Sequence, residues 1–241
     1  MNFGLSQEQE MIVNTVRSFV EKEIYPHEDL VEQSAEVPRE IAEDIKQKTI
    51  DMGFYACNFP ESVGAAGLSH VDFALVEREL GRGSMALTHF FGRPQNILMA
   101  CQGTQVERYL KPAIRGEKMD ALAMTEPGAG SDVRGMACSA QRDGGDWVLN
   151  GNKHFISGAE HADFAIVFVA TGVDETPRGP KKRITTFLVD RGTPGFTIRE
   201  GYKSVSHRGY KNMILEFDNC RLPDAQVSVS YTHLTLPTTV S

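Results

Sequence analysis

Along the first half of the chain apolar positions return every three or four residues, and along the second half every two. Ser6 and Gln9 make a capping-box pattern, after which Met11, Ile12, Val16, Phe19 and Val20 share one helical stripe until Pro26 ends the run. Pro38 at a first-turn position, Ile41 and Ile45 on one face, and Gly53 beyond the end predict a second helix. Ser69 with Asp72 opens a third, which closes at Gly81. A more apolar fourth helix lies within Met85 to Cys101, and Thr104 with Glu107 caps a short fifth around Tyr109 and Leu110. These stripes read as packing between helices, with Phe90 and Phe91 in that core.

From about Ala121 the period becomes two and turn dipeptides recur, the mark of an antiparallel β domain. Asp143-Gly144-Gly145-Asp146 separates one strand from Trp147-Val148-Leu149, and Asn150-Gly151 suits a two-residue hairpin. Ala165 to Ala170, Ile184 to Val189 and Met213 to Phe217 predict short strands, the first two apolar on both faces and therefore covered. Asp174 to Arg183 is charged and contains proline, as an exposed loop should be. The expected architecture is α+β: an all-α helical domain over residues 1–118, then an antiparallel β-barrel over residues 119–228, with the change near Gly116. Strands and helices do not alternate, which disfavours a dinucleotide-binding βαβ fold.

Charge and composition narrow the function classes. A formal net charge of -7 lacks the basic footprint of non-specific nucleic-acid binding, so no nucleic-acid partner is expected. No apolar run approaches the ~20 residues that cross a bilayer. The N-terminus shows no signal or transit pattern, so a cytoplasmic location is expected. Cys57, Cys101, Cys138 and Cys220 are far apart and form no metal-ligand pair, so neither a metal site nor a disulfide framework is expected.

The chemistry concentrates in Ala123-Met124-Thr125-Glu126-Pro127-Gly128-Ala129-Gly130-Ser131-Asp132. A Walker loop would end in Gly-Lys-Ser/Thr, and a dinucleotide fingerprint would lead into a helix; neither condition is met. What remains is a strand breaking into a glycine-rich turn that offers backbone N–H groups and the hydroxyls of Thr125 and Ser131 to a flat polar ring. A turn kept for geometry alone, with Glu126 and Asp132 capping local amides, explains the pattern equally well.

At this point the sequence resembles the acyl-CoA dehydrogenases. Thr125 to Asp132 is similar to their hallmark motif at all eight positions. Asn150-Gly151-Asn152-Lys153-His154-Phe155-Ile156-Ser157-Gly158 resembles their N-G-x-K-x-[WF]-I-[ST] strand, and Asp190 to Gly195 and Phe217 to Pro223 resemble two later landmarks. The resemblance covers Met1 to about Val227. It implies FAD as cofactor, an acyl-CoA thioester as substrate, an electron acceptor such as an electron-transfer flavoprotein, and a homo-oligomeric full-length parent. It implies that Leu122, Met124, Thr125, Gly130 and Ser131 line the isoalloxazine edge, with Ser131 also facing the pantetheine arm. Phe155 would stack beside the ring, with Ile156 following it, and Ser157 would reach the ring nitrogen that accepts hydride. Arg208, with Lys203 and His207, would meet a CoA phosphate, although that segment departs from the common family pattern. His154 precedes the stacking position by one residue, so strand alternation turns it to the opposite face. The basic cluster Arg178, Lys181, Lys182 and Arg183 reads as a solvated loop.

In the family a carboxylate removes the α proton while the β hydrogen leaves as hydride to the flavin. That base comes from a C-terminal helical bundle which this sequence is expected to lack, so no catalytic residue is assigned. Residues 229–241, which include His233, read as a non-native read-through tail. The chain is accordingly expected to be an inactive fragment of a dehydrogenase. The alternatives are an oxidase or flavin monooxygenase relative, or a non-catalytic flavin or acyl-CoA binding scaffold, including the DNA-associated alkylation-response branch.

Overall fold

The computed structural model describes residues 4–177 and 179–230, and these divide into two compact units. Residues up to 96, with 111–117 and 203–210, form a helical unit; residues 97–110, 118–202 and 211 onward form a unit built on a sheet.

In the helical unit α1 spans Gln7–Phe19, with Ser6 and Gln9 making a complete capping box. Pro26 does not end the run. A π-helical turn, Val20–Ile24, leads into α2, Tyr25–Ser34, where proline occupies the first turn and its missing N–H costs nothing. Next, α3 spans Arg39–Asp51 after Pro38, and α4 spans His70–Leu80 after an N-cap Ser69 that accepts from the Asp72 N–H. Val16, Val20, Ile24, Val76 and Leu80 are buried, and Phe19 meets Phe91 edge-on at 5.4 Å between ring centroids. Arg17 bridges α1 to the buried Glu79 of α4 at 2.9 Å.

The expected fourth helix is broken. Its pieces are α5, Met85–Thr88, and 3-10 turns at His89–Phe91 and Asn96–Ala100. Between them Gly92 sits at φ +82°, and a Cβ there would lie 1.9 Å from the Tyr55 ring. Phe90 and Phe91 are buried even so. Further on, the helical segment near Tyr109 runs through a π-helical turn, Val106–Leu110, into α6, Lys111–Ile114.

The second unit carries eight strands: β1 (Asp120–Ala123), β2 (Ser139–Asp143), β3 (Asp146–Ser157), β4 (Phe164–Asp174), β5 (Lys181–Asp190), β6 (Phe196–Tyr202), β7 (Asn212–Pro223) and β8 (Val227–Ser230). Their order is β6-β7-β3-β2-β4-β5-β8, with β1 joined to β4 in parallel. This corrects the expected antiparallel barrel. β2 also meets β4 in parallel through Ser139 and Ala170, and among the described residues the end strands β6 and β8 pair only with β7 and β5, so the sheet they form is mixed and not closed. Phe164–Val169 and Ile184–Val189 are buried throughout. Strands β4 and β5 extend into the predicted exposed loop, so Lys181 and Arg183 lie on a strand; Arg178 and residues 231–241 lie outside the described residues.

Asn150-Gly151 does not form a hairpin either. The turn falls at Asp143–Asp146, and β3 runs on through Asn150-Gly151 with a register shift against β7 between Leu149 and Gly151. Gly151 has φ +132° and presses against Cys138, whose Cα would be 2.7 Å from an added Cβ. Gly151→Ala combines backbone strain with a clash against main chain and is expected to cost about 1–3 kcal/mol, read as a lower urea midpoint at unchanged slope. An unchanged midpoint would refute this account of the bulge.

Candidate functional site

The glycine-rich segment leaves the sheet at the end of β1 and returns to it at β2, and hydrogen bonds along its length fix its course. Lys153 Nζ donates to the Met124 carbonyl at 3.0 Å, and the His154 N–H donates to the Thr125 carbonyl at 2.9 Å. Glu126 and Ala129 exchange backbone bonds of 3.0 and 3.1 Å, closing a β-turn over Pro127-Gly128. The Glu126 carboxylate accepts from the N–H groups of Ala137 at 2.6 Å and Cys138 at 3.1 Å. Lys182 Nζ donates to the Met136 carbonyl at 2.6 Å. Thr125 and the Phe155 strand therefore lie side by side.

Beneath the turn, Lys153 Nζ meets Glu126 Oε1 at 2.7 Å, with side-chain exposures of 0% and 4%. Glu126 thus takes up the amide-capping role that the pattern allowed, and the exposed crest above it stays free for a ligand. Gly128, Gly130 and Ser131 are exposed, and a Cβ at either glycine would meet nothing within 4 Å. The Thr125 N–H and the hydroxyls of Thr125 and Ser131 have no protein partner among the described residues.

The companion wall is aromatic. Phe155 lies in a second bulge of β3, between Lys153 and Ile156, at φ +55° and 49% exposed. Its ring lies 4.3 Å from that of Tyr202 at an interplanar angle of 32°, and 4.3 Å from that of His154. His154 Nδ1 is 3.0 Å from the Tyr202 hydroxyl. The expectation that His154 faces away from Phe155 is therefore wrong, because a bulge breaks the alternation on which it rested. Ser157 donates to Asn212 Oδ1 at 3.0 Å, which leaves its oxygen able to accept.

The remaining expected site residues are placed as follows. Leu122 lies on β1 opposite Ile166 and is half-buried, as are Met124 and Thr125. Ile156 is 1% exposed in the sheet core, so only its backbone can meet a ligand. Arg208 belongs to the helical unit, where its Nε is 3.6 Å from Glu32 Oε1. Sequence reasoning passed over Lys153, Tyr202 and Asn212. The signal for Lys153 was a lysine two residues before the expected stacking position in an otherwise inward-reading strand.

Glu160 follows Ser157 by three residues. Burial pushes its carboxyl above the usual carboxylate range, and its Oε2 is buried with no hydrogen-bond partner among the described residues. Burial likewise pushes the four thiols up, those of Cys57, Cys101 and Cys220 to about 11 and that of Cys138 to about 12. They are inert at neutral pH. Among the described residues no three His, Cys, Asp or Glu side chains gather to hold a metal, and no helix is long and apolar enough to cross a membrane.

Comparison with known proteins agrees with this layout. Residues 6–117 match the family model "Acyl-CoA dehydrogenase, N-terminal domain", and residues 121–220 match "Acyl-CoA dehydrogenase, middle domain". The chain is 34% identical to benzylmalonyl-CoA dehydrogenase of Aromatoleum aromaticum over 93% of its own length and 58% of that protein. It is 38% identical to 3-(aryl)acrylate reductase of Clostridium sporogenes over 80% of its length and 50% of the relative. The chain thus spans about half the length of the curated relatives it matches. A glutaryl-CoA dehydrogenase from Mycobacterium smegmatis, solved in complex with FADH2, superposes with a TM-score of 0.79 at 30% identity, covering 94% of this chain and 57% of the other.

Two outcomes follow from the site's electrostatics. Glu126→Ala strands the Lys153 charge in the interior and is expected to cost about 3–5 kcal/mol, measured by urea denaturation. Loss below about 1 kcal/mol would mean that the pair contributes no more than a surface bridge does. The second concerns Glu160. Unfolded, it releases its proton in the ordinary carboxylate range; folded, it does so at higher pH. The folded state then holds more protons between the two values, so stability falls as pH rises through that window. Glu160→Gln should remove this fall and raise the melting temperature at neutral pH but not at about pH 4. An equal shift at both pH values would contradict the assignment.

Proposed function

The chain belongs to the acyl-CoA dehydrogenase family, and from that premise we propose that its sheet unit binds FAD along the Thr125 turn and the Phe155 bulge. The reaction proposed for that site is the α,β-dehydrogenation of an acyl-CoA thioester, to which this chain would contribute the flavin-binding wall and not the carboxylate base. The observation that carries this reading is the bond from the His154 N–H to the Thr125 carbonyl, which sets the turn and the aromatic bulge against one another.

The residues present suit a flavin. The Thr125 N–H is a free backbone donor for a ring carbonyl or nitrogen, and the open space over Gly128 and Gly130 admits a flat ring close to main chain. Phe155 offers an exposed aromatic face at its flank, as ring stacking requires. Leu122 and Met124 continue that wall on the β1 side, and the Ser157 oxygen, with its proton turned to Asn212, can accept from a ring N–H. FAD, when bound, supplies the two-electron acceptor for the β hydrogen. Ser131, exposed at the crest, is suited to the pantetheine arm.

The chain's own task is to hold donor and acceptor in line and to set fixed dipoles where negative charge gathers. An electron-transfer flavoprotein as acceptor is part of the same proposal. It is supported by likeness to a caffeyl-CoA reductase–Etf complex subunit of Acetobacterium woodii, 32% identical over 90% of this chain and 57% of the relative.

Titration of the purified chain with FAD, followed by flavin absorbance, should show saturable binding, and an added acyl-CoA should perturb the bound spectrum where the free acid does not. Phe155→Ala is expected to weaken FAD binding about tenfold, a stacking energy near 1.4 kcal/mol. Absence of flavin binding at high micromolar concentration would overturn the reading.

A further inference from the structure

We propose that Lys153 is a positioning residue for the flavin: through the Met124 carbonyl it aims the Thr125 N–H at the ring. The inference rests on the reading that FAD lies along this turn. Lys153 is fully buried on β3, and burying an ammonium costs several kcal/mol unless each proton finds an acceptor. Its two acceptors are Glu126 Oε1 at 2.7 Å and the Met124 carbonyl at 3.0 Å.

The second contact has a directional consequence. The peptide joining Met124 to Thr125 is planar and trans, so its C=O and N–H point in opposite directions. Holding the carbonyl against the strand therefore turns the Thr125 N–H away from it. The next peptide is held as well, because the Thr125 carbonyl accepts from the His154 N–H. With both flanking carbonyls fixed, the Thr125 N–H cannot swing without taking the Met124 carbonyl away from the buried ammonium. That N–H has no partner among the described residues, whereas the N–H of Glu126 pairs with the Ala129 carbonyl and those of Ala137 and Cys138 pair with the Glu126 carboxylate.

The Met124 carbonyl that the buried ammonium takes as its second acceptor belongs to the same peptide as the unpartnered Thr125 N–H, so the bond that satisfies the charge also sets the direction of the donor. The expected effect is on the flavin's redox equilibrium, since a donor aimed at the ring favours the reduced, more negative form.

The test uses three purified forms of the chain: unaltered, Lys153→Met, and the double variant Lys153→Met/Glu126→Gln. The double variant removes one charge of each sign, so its local net charge is unchanged and it carries no stranded ion. Bound FAD is titrated anaerobically against a redox dye. Both variants should make the flavin about tenfold harder to reduce, which is about 30 mV lower for a two-electron couple. A variant that folds, by circular dichroism, but no longer holds FAD also supports the proposal.

Unchanged potential in the double variant overturns the proposal while leaving the FAD reading intact. Absence of FAD binding by the unaltered chain overturns both. Should neither variant fold, the unaltered chain decides: with threonine labelled by ¹⁵N, the Thr125 amide resonance must move on adding FAD, and a stationary resonance refutes the assignment.

Discussion

Lys153 Nζ and Glu126 Oε1 meet at 2.7 Å with both side chains shut off from water, and the energetics of that contact govern the rest of the site. Each ion loses several kcal/mol of hydration on burial, and their mutual attraction offsets this only when every remaining proton and lone pair is used. Glu126 fills its lone pairs with the amides of Ala137 and Cys138 beside the ammonium, and Lys153 gives a second proton to the Met124 carbonyl. Both ends of the glycine-rich segment are thereby tied to one ion pair. Drift of either end would expose the other to an uncompensated charge, so the crest between them can carry small residues and still hold its shape.

That arrangement is reached through irregularities in β3. A regular strand would send Lys153 and Phe155 to one face, and His154 and Ile156 to the other. Instead Lys153 is buried with Glu126, Ile156 lies in the sheet core, and His154 and Phe155 emerge together against Tyr202. The bulge makes this possible by placing Phe155 in a left-handed conformation that costs a non-glycine residue on the order of 1–3 kcal/mol. The surroundings sustain the strain: the His154 N–H is bonded on one side of it, and Ile156 is packed on the other. Backbone strain of this kind collects where a side chain must be aimed at a ligand.

How much of this could be read from residue order depends on the range of the forces concerned. Capping chemistry is local, and Ser6, Ser69 and Gly81 mark helix ends where expected. Doubly buried strands show in composition, and Phe164–Val169 and Ile184–Val189 follow it. Failures occur where tertiary contact overrides a local signal. Pro26 is absorbed because a π-helical turn precedes it, Gly92 breaks an apolar helix because the Tyr55 ring occupies its Cβ space, and Asn150-Gly151 becomes a bulge because Cys138 lies against it. The open sheet was illegible for a related reason: closure depends on whether the end strands β6 and β8 meet, and alternation within one strand says nothing of that. In the candidate site, motif resemblance singled out the Thr125 to Ser131 turn and the Phe155 strand, and the bond from the His154 N–H to the Thr125 carbonyl sets them side by side. The contacts made by Lys153, Tyr202 and Asn212 depend on register shifts in β3 and β6 that no period reveals.

A backbone donor is well suited to the role given to Thr125. An amide carries no rotamer freedom, so aiming it at a ligand loses no side-chain entropy on binding, unlike a lysine or arginine in the same place. Being neutral, it favours charge that develops at a ring edge without attracting anions indiscriminately to the resting site. Its direction is set from beneath by the buried pair, and its accessibility comes from the absence of side chains at Gly128 and Gly130. Rigidity and openness, which oppose each other in a surface loop of ordinary composition, are thus supplied by different residues. The ions supply the first and the glycines the second, so a substitution at a crest glycine would block the ring while leaving the turn fixed, whereas loss of an ion would leave the crest open and unaimed.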